Sequence, residues 1–215
     1  MIELEALGIL FDLDGVLVDS GAAVERHWRA FAARIDIAPE TMLRAAHGRR
    51  SFDVIADLVA PERHLEEARW FEDLEVDDVE GVAALPGATE LLAALPPHRW
   101  AIVTSCGARL ATARLIAAGL EAPANLISAD DVTAGKPDPD GYRQGMRALA
   151  VDPGRTIVFE DAPAGILAGR AAGATVIGVA TSHSQSELGG DHVVRDLASV
   201  TVAEQPGSVV LRLTD

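Results

Sequence analysis

The sequence predicts an α/β fold: a doubly wound, Rossmann-like parallel sheet core carrying a small inserted α-helical cap domain. Three observations predict it. Short apolar runs recur without polar alternation, helix-length segments lie between them, and one long stretch contains no strand candidate. The first run, Leu7 to Phe11, stops abruptly at Asp12. Trp100 to Thr104, Leu126 to Ala129, Thr156 to Phe159 and Thr175 to Val179 have the same character. Continuous apolar runs of this length suit strands buried on both faces of a parallel sheet. The segments Ala88 to Leu95, Ala108 to Ala118, Asp140 to Leu149 and Ala164 to Ala172 are the helix candidates. Strand–helix alternation of this kind specifies a doubly wound domain.

From about Ser20 to Glu80 the alternation stops, and only helical stretches rich in Ala, Arg and Glu appear: Ala22 to Arg34, Ser51 to Leu58 and Pro61 to Leu74. An all-helical stretch between the first and second strands is expected to be an insert. The turn signal Leu85-Pro86-Gly87 marks the return. The predicted division is therefore residues 1–17 and 84–215 for the α/β core and 18–83 for the helical domain. At the C-terminal end, His192 to Leu213 carries short Val-rich runs around Gln205-Pro206-Gly207-Ser208, which predict edge strands or a hairpin.

Composition bounds the chemistry. The chain has 215 residues, 49% hydrophobic and 24% charged, which is ordinary for a soluble globular protein. The one cysteine, Cys106, excludes an intramolecular disulfide and fits a reducing compartment. No run approaches the ~18 apolar residues of a membrane span, and the opening Met1-Ile2-Glu3-Leu4-Glu5 lacks a basic secretory n-region, so a cytoplasmic setting is expected. A net charge of −15, from 33 acidic and 18 basic residues, disfavours nucleic acid and anionic membranes as partners. A phosphorylated small molecule is an anion too, so its site needs local cations or a bound metal to offset the field.

Four polar clusters fall where predicted strands end, the place where open α/β sheets bind ligands. Asp12-Leu13-Asp14-Gly15-Val16 follows the first strand, with two carboxylates at i and i+2 directed into the crevice and Gly15 permitting a sharp bend. Alone it is equally an aspartate cap with a turn. Thr104-Ser105-Cys106-Gly107 opens a helix after the second strand, where a hydroxyl and free N–H groups can cradle a phosphate; an ordinary N-cap has the same composition. Gly135-Lys136-Pro137-Asp138-Pro139 fixes a lysine before two prolines, able to hold a phosphate oxygen and a carboxylate together. Glu160-Asp161-Ala162-Pro163-Ala164-Gly165 places adjacent carboxylates at a strand end, costly unless a hard cation such as magnesium lies between them. All four occur in order, each at a strand end, and that joint occurrence outweighs the bland reading of any one.

The order D-x-D-G-V, T-S, G-K-P-x-P, E-D-A-P-A-G resembles the haloacid dehalogenase superfamily, and more narrowly its phosphatases with a helical cap inserted after the first motif. The resemblance covers essentially the whole chain. The cap segment His47-Gly48-Arg49-Arg50-Ser51-Phe52-Asp53 and the run Phe159 to Gly165 resemble the hexitol- and 2-deoxyglucose-phosphate and glycerol-phosphate phosphatases. The resemblance implies a magnesium-dependent phosphoric monoester hydrolase for small sugar or polyol phosphates. It implies Asp12 as nucleophile, Asp14 as general acid and base, and Ser105 and Lys136 as the groups that hold the transferring phosphoryl group. The backbone N–H groups of Cys106 and Gly107 join them. Asp12, Glu160 and Asp161, with Asp14 through its carbonyl, would ligate magnesium. Arg49, Arg50 and His47 are the candidates for reaching substrate from the cap, and a monomer is expected. Relatives commonly carry a small residue at the Cys106 position.

A dehalogenase lacks the second aspartate of the first motif and needs no metal, so Asp14 and Glu160-Asp161 count against it. A β-phosphoglucomutase-like sugar phosphomutase is the nearer alternative. Those mutases carry a cap-side histidine about ten residues beyond the second aspartate; here Val24 stands there, with His27 one helical turn further on.

Overall fold

The computed structural model describes residues 1–46 and 49–214. The chain begins with β1 (Ile2–Ala6) and β2 (Gly8–Phe11), passes a short β3 (Val18–Asp19), and enters four helices, α1 (Gly21–Arg34), α2 (Pro39–Ala46), α3 (Ser51–Leu58) and α4 (His64–Asp77). It returns through β4 (Ala83–Ala84), α5 (Ala88–Ala94), β5 (Trp100–Val103), α6 (Ala108–Ala117), β6 (Leu126–Ile127), α7 (Asp140–Leu149), β7 (Thr156–Glu160), α8 (Pro163–Ala172) and β8 (Thr175–Val179). A one-turn α9 (Gln185–Leu188), β9 (His192–Val194) and the hairpin β10 (Val200–Gln205) and β11 (Ser208–Leu213) complete it.

The central sheet is parallel throughout, in the order β6-β5-β2-β7-β8-β9. Residues alternate between its faces, as period-2 geometry dictates. Ile9, Phe11, Ile102, Ile157 and Phe159 pack into one buried cluster, while Leu10, Ala101, Val103 and Val158 pack into the other. Because both faces are buried, the strand interiors are apolar on both sides, which is why these strands lack polar alternation. On the first face lie α5 and α6, through Leu91 and Leu115. On the second lie α7 and α8, through Tyr142, Met146 and Ile166. In α7, Tyr142, Gly145, Met146 and Leu149 recur at helical spacing, the stripe that docks it on β5 and β2. Pro163 starts α8 at its first turn, and a left-handed Gly173 (φ 93°) ends it.

Strand order reverses around β2: from β2 the chain moves outward to β5 and β6, then crosses back to β7 on the other side. The crevice beyond the carboxyl end of β2 is therefore the topological switch point of the sheet.

The structure adds a strand at the N-terminus. Ile2, Leu4 and Ala6 alternate with Glu3 and Glu5, the pattern of an antiparallel strand with one wet face, and β1 pairs with β11. The predicted C-terminal hairpin is thereby the second half of a three-stranded sheet, β1-β11-β10, laid against the first core cluster through Val209 and Leu211.

The helices α1 to α4 build their own buried cluster from Trp28, Phe31, Met42, Val54, Ile55 and Phe71. Trp28 and Phe71 meet with ring centroids 4.1 Å apart, and Phe31 sets its edge to both. The two-residue pair β3·β4 brings the entering and leaving strands of this region together. Among the described residues no helix is long and apolar enough to cross a membrane. Removing the central ring of the helical cluster tests its weight: Phe71→Ala is expected to destabilise the protein by about 3–5 kcal/mol, read from urea unfolding. A loss below about 1 kcal/mol would mean that the cluster closes over the gap at little cost.

Candidate functional site

Asp12 is the first residue past β2 and stands at the switch point, its N–H donating to Phe159 O at 3.0 Å. The next strand over, β7, ends in Glu160 and Asp161. One carboxylate oxygen from each of Asp12, Glu160 and Asp161 lies within 4.8 Å of the others, and all three residues are buried. Lys136 Nζ enters from the loop before α7 and donates to Asp12 Oδ1 at 2.7 Å and to Glu160 Oε1 at 2.6 Å.

Glu160 is fully engaged. Its Oε1 also accepts from Tyr142 Oη at 2.7 Å, and its Oε2 accepts from the N–H groups of Asp161 and Ala162 at 3.0 and 3.1 Å. Two glycines make room for these carboxylates. A Cβ at Gly165 would fall on Glu160 Oε1, and one at Gly15 (φ +77°) would fall on Asp161 Oδ2. The acidic side chains are thus packed directly against backbone.

Three buried carboxylates share one lysine, and the charge does not balance. Burial, reinforced by Glu160 and Asp161 and opposed by Lys136, raises the Asp12 carboxyl well above its usual range. Burial and then the charge of Glu160 push Asp161 up to about 7. Burial works against the Lys136 ammonium as well, yet Asp12 and Glu160 hold it above its ordinary value. Clustered oxygen donors of one sign with a charge deficit are what a hard divalent cation satisfies, so the residues present fit such an ion.

Asp14, two residues on, turns away from this cluster. Its Oδ1 accepts from Ser20 Oγ at 2.6 Å and its Oδ2 from Arg114 Nη1 at 2.7 Å. Arg114 comes from α6 and is 4% exposed; its Nη2 donates to Glu75 Oε1 of α4 at 3.0 Å. Burial is the main cause that pushes the Glu75 carboxyl up to about 7, against the pull of Arg114. This chain of charges joins the α/β core to the helical region.

These groups line one cavity of about 650 Å³. Asp12, Asp14, Lys136, Glu160 and Asp161 line it on the sheet side, with Thr104, Ser105 and Cys106 from the loop after β5. Trp28, Val24 and Leu43 line it from the helices. For Cys106, burial, and next the charge of Asp14, push the thiol up to about 12, which disfavours the thiolate, and its Sγ lies 3.2 Å from Thr104 Oγ1. Gly107 caps α6 near Glu72 and Asp130 and is not among the lining residues; the next amide, Ala108 N–H, donates to Asp130 Oδ2 at 2.9 Å.

The two arginines singled out in the sequence separate. Arg49 lines the cavity and pairs with Asp57 at 2.7 Å. Arg50 pairs with Asp53 at 2.7 Å and packs over Gly135 with Thr133 O 3.4 Å away, clasping α3 to the Lys136 loop. His47 lies outside the described residues. His27 is buried beneath α1 with Nε2 3.2 Å from Asp78 Oδ2 and does not line the cavity, whereas Val24 does.

Sequence reasoning missed Arg114, Glu75, Tyr142 and Ser20, and also Thr181, Ser182 and His183, which line the cavity from beyond β8. A signal existed for the first two. Arg114 shares a helix face with Leu110 and Ala111, and Glu75 lies one turn beyond Phe71, so each is a charge on an otherwise buried stripe.

The family model of the haloacid dehalogenase-like hydrolases matches residues 7–173. Hexitol phosphatase A of Escherichia coli is 42% identical over 212 residues, covering 95% of this chain and 98% of that protein. Glycerol-1-phosphate phosphohydrolase 2 of Saccharomyces cerevisiae is 35% identical, covering 94% and 86%. A crystal structure of a hydrolase from Pseudomonas syringae superposes with a TM-score of 0.80 at 28% identity, covering 89% of this chain and 94% of that one.

Two predictions follow from the packing of the carboxylates. Gly165→Ala displaces Glu160 and with it Lys136, so any activity at this site should fall roughly 100-fold, while Gly154→Ala, with nothing near its Cβ, should leave it intact. Equal activities would show that Glu160 moves aside freely. Glu75 is raised in the fold, so its contribution to stability is full below its unfolded value near 4.5 and is lost as pH rises through about 7. Thermal midpoints measured at about pH 5 and about pH 8 should therefore drop less in Glu75→Gln than in the wild type; parallel drops would refute this.

Proposed function

Because the chain belongs to the haloacid dehalogenase-like hydrolases, we propose that it is a magnesium-dependent phosphatase for small sugar or polyol phosphates, working in the cytoplasm as a monomer. The observation that carries this reading is the single Lys136 ammonium shared by Asp12 and Glu160 beside Asp161. Asp12, Glu160 and Asp161, with the Asp14 carbonyl, would hold the magnesium. When bound, it lowers the charge of the phosphoryl oxygens and favours the ionised form of Asp12.

Asp12 Oδ1 is fixed by Lys136, which leaves Oδ2 to attack phosphorus opposite the ester oxygen. The P–O bond to the sugar or polyol breaks, and Asp14 gives a proton to the departing oxygen. Asp14 then takes a proton from water as that water attacks the aspartyl-phosphate, releasing inorganic phosphate and restoring Asp12. Lys136, the Ser105 hydroxyl and the Cys106 N–H, from residues that line the cavity, stabilise the charge on the transferring group. Residues 18–83 act as the cap: α1 to α4 roof the cavity, exclude water during transfer, and carry Arg49 on the substrate side. Arg50 serves as a clasp to the Lys136 loop. The identity to phosphatases of hexitol and glycerol phosphates supports the substrate class. Against the mutase alternative, among the described residues no cap-side histidine lines the cavity: Val24 occupies that wall and His27 faces Asp78.

Sorbitol 6-phosphate should release inorganic phosphate with magnesium and none after chelation by EDTA, with activity returning on addition of magnesium. Asp12→Asn should lower kcat by at least about 1,000-fold with an unchanged circular dichroism spectrum. Substantial turnover by that variant would remove Asp12 from the nucleophile role.

A further inference from the structure

Arg114 and Glu75 have no part in the transfer steps above, yet they are buried charges in the wall of the cavity. Both side chains are 5% exposed, and a guanidinium or carboxylate taken out of water needs compensation from its surroundings. They come from opposite sides, α6 of the core and α4 of the helical region, and meet beside Asp14. In the mechanism above Asp14 protonates the departing ester oxygen. The carbons next to that oxygen must therefore lie beside Arg114 and Glu75.

What the cavity offers a leaving group there is set by its charges. Among the described lining residues every arginine and lysine is already paired: Lys136 with Asp12 and Glu160, Arg114 with Asp14 and Glu75, Arg49 with Asp57. Asp19 and Glu25 add two further carboxylates to the wall. A second phosphate or a carboxylate on the substrate would meet this acidic surface and would have to draw a cation away from its carboxylate partner. Hydroxyl groups meet the opposite situation. A hydroxyl donates to Glu75 and accepts from Arg114, so neighbouring hydroxyls satisfy both partners at once. Trp28 and Val24 supply apolar surface for the carbon skeleton.

We propose that Arg114 and Glu75 are the specificity-determining pair of this site, binding hydroxyls adjacent to the phosphorylated carbon and restricting the enzyme to monophosphate esters of otherwise uncharged polyols. The assignment rests on the phosphatase reading given above and adds the residues that select the leaving group.

Three esters separate the cases: glycerol 1-phosphate, propyl phosphate, which lacks the hydroxyls, and 2-phosphoglycolate, which bears a carboxylate. With magnesium, wild-type kcat/KM for glycerol 1-phosphate should exceed that for each of the others by about tenfold or more. In Glu75→Gln the loss on glycerol 1-phosphate should exceed the loss on propyl phosphate by about the same factor, and the gap to 2-phosphoglycolate should narrow. Equal wild-type rates on glycerol 1-phosphate and propyl phosphate would overturn the assignment. So would equal losses on both in the variant, because the pair would then serve only to hold Asp14. If Glu75→Gln does not fold, Glu75→Asp, which keeps the charge and withdraws the oxygens, is read in its place by the same two losses. Hydrolysis of none of the three esters, nor of sorbitol 6-phosphate, strikes the phosphatase reading itself, a result distinct from hydrolysis without preference.

Discussion

Lys136 reaches across 124 residues of sequence to set one ammonium between Asp12 and Glu160, and the rest of the site is arranged around the negative charge it leaves uncompensated. A surface lysine between two carboxylates would contribute little. Here all partners are buried, so the geometry must be exact to tolerable limits and the backbone must be close. Gly165 permits Glu160 to lie against α8, Tyr142 fixes the oxygen that Lys136 shares, and two backbone amides hold the other. The residual negative charge favours a cation beside Asp12, Glu160 and Asp161.

The fold supplies this arrangement through strand order more than through any single loop. Since β2 lies between β5 and β7, the residues that follow these three strands converge on one crevice from sequence positions far apart. Apolar packing fixes the strands: Phe11 stacks on Phe159 with centroids 5.1 Å apart, both just before their strands turn acidic, and meets Trp100 at the start of β5 edge-on. The helical region then closes the crevice from above, and its contact with the core at Arg114 and Glu75 is electrostatic, in contrast to the aromatic contacts within it.

Much of this was legible in the sequence because the core strands are buried on both faces and so print as unbroken apolar runs. The motif residues Asp12, Lys136, Glu160 and Asp161 were visible as polar interruptions at the ends of those runs, and they are neighbours in space. β1 was overlooked because its Ile-Glu-Leu-Glu-Ala alternation is short and its partner β11 lies at the far end of the chain. Arg114 and Glu75 were hidden for a related reason. Their meaning comes from pairings 100 and 39 residues distant, and no local pattern distinguishes a buried arginine from a solvated one until the face it shares is known. The same holds for Arg49 and Arg50, adjacent in sequence but committed to different neighbours, Asp57 in one case and Asp53 with the Thr133 carbonyl in the other.

The environment of Cys106 bears on how such a site survives oxidative conditions. Peroxide and alkylating reagents act on thiolates, and the surroundings of the half-buried Cys106, its desolvation first and the charge of Asp14 next, push its thiol up and disfavour that form. The cavity wall therefore carries a sulfur atom held away from the form that those reagents attack.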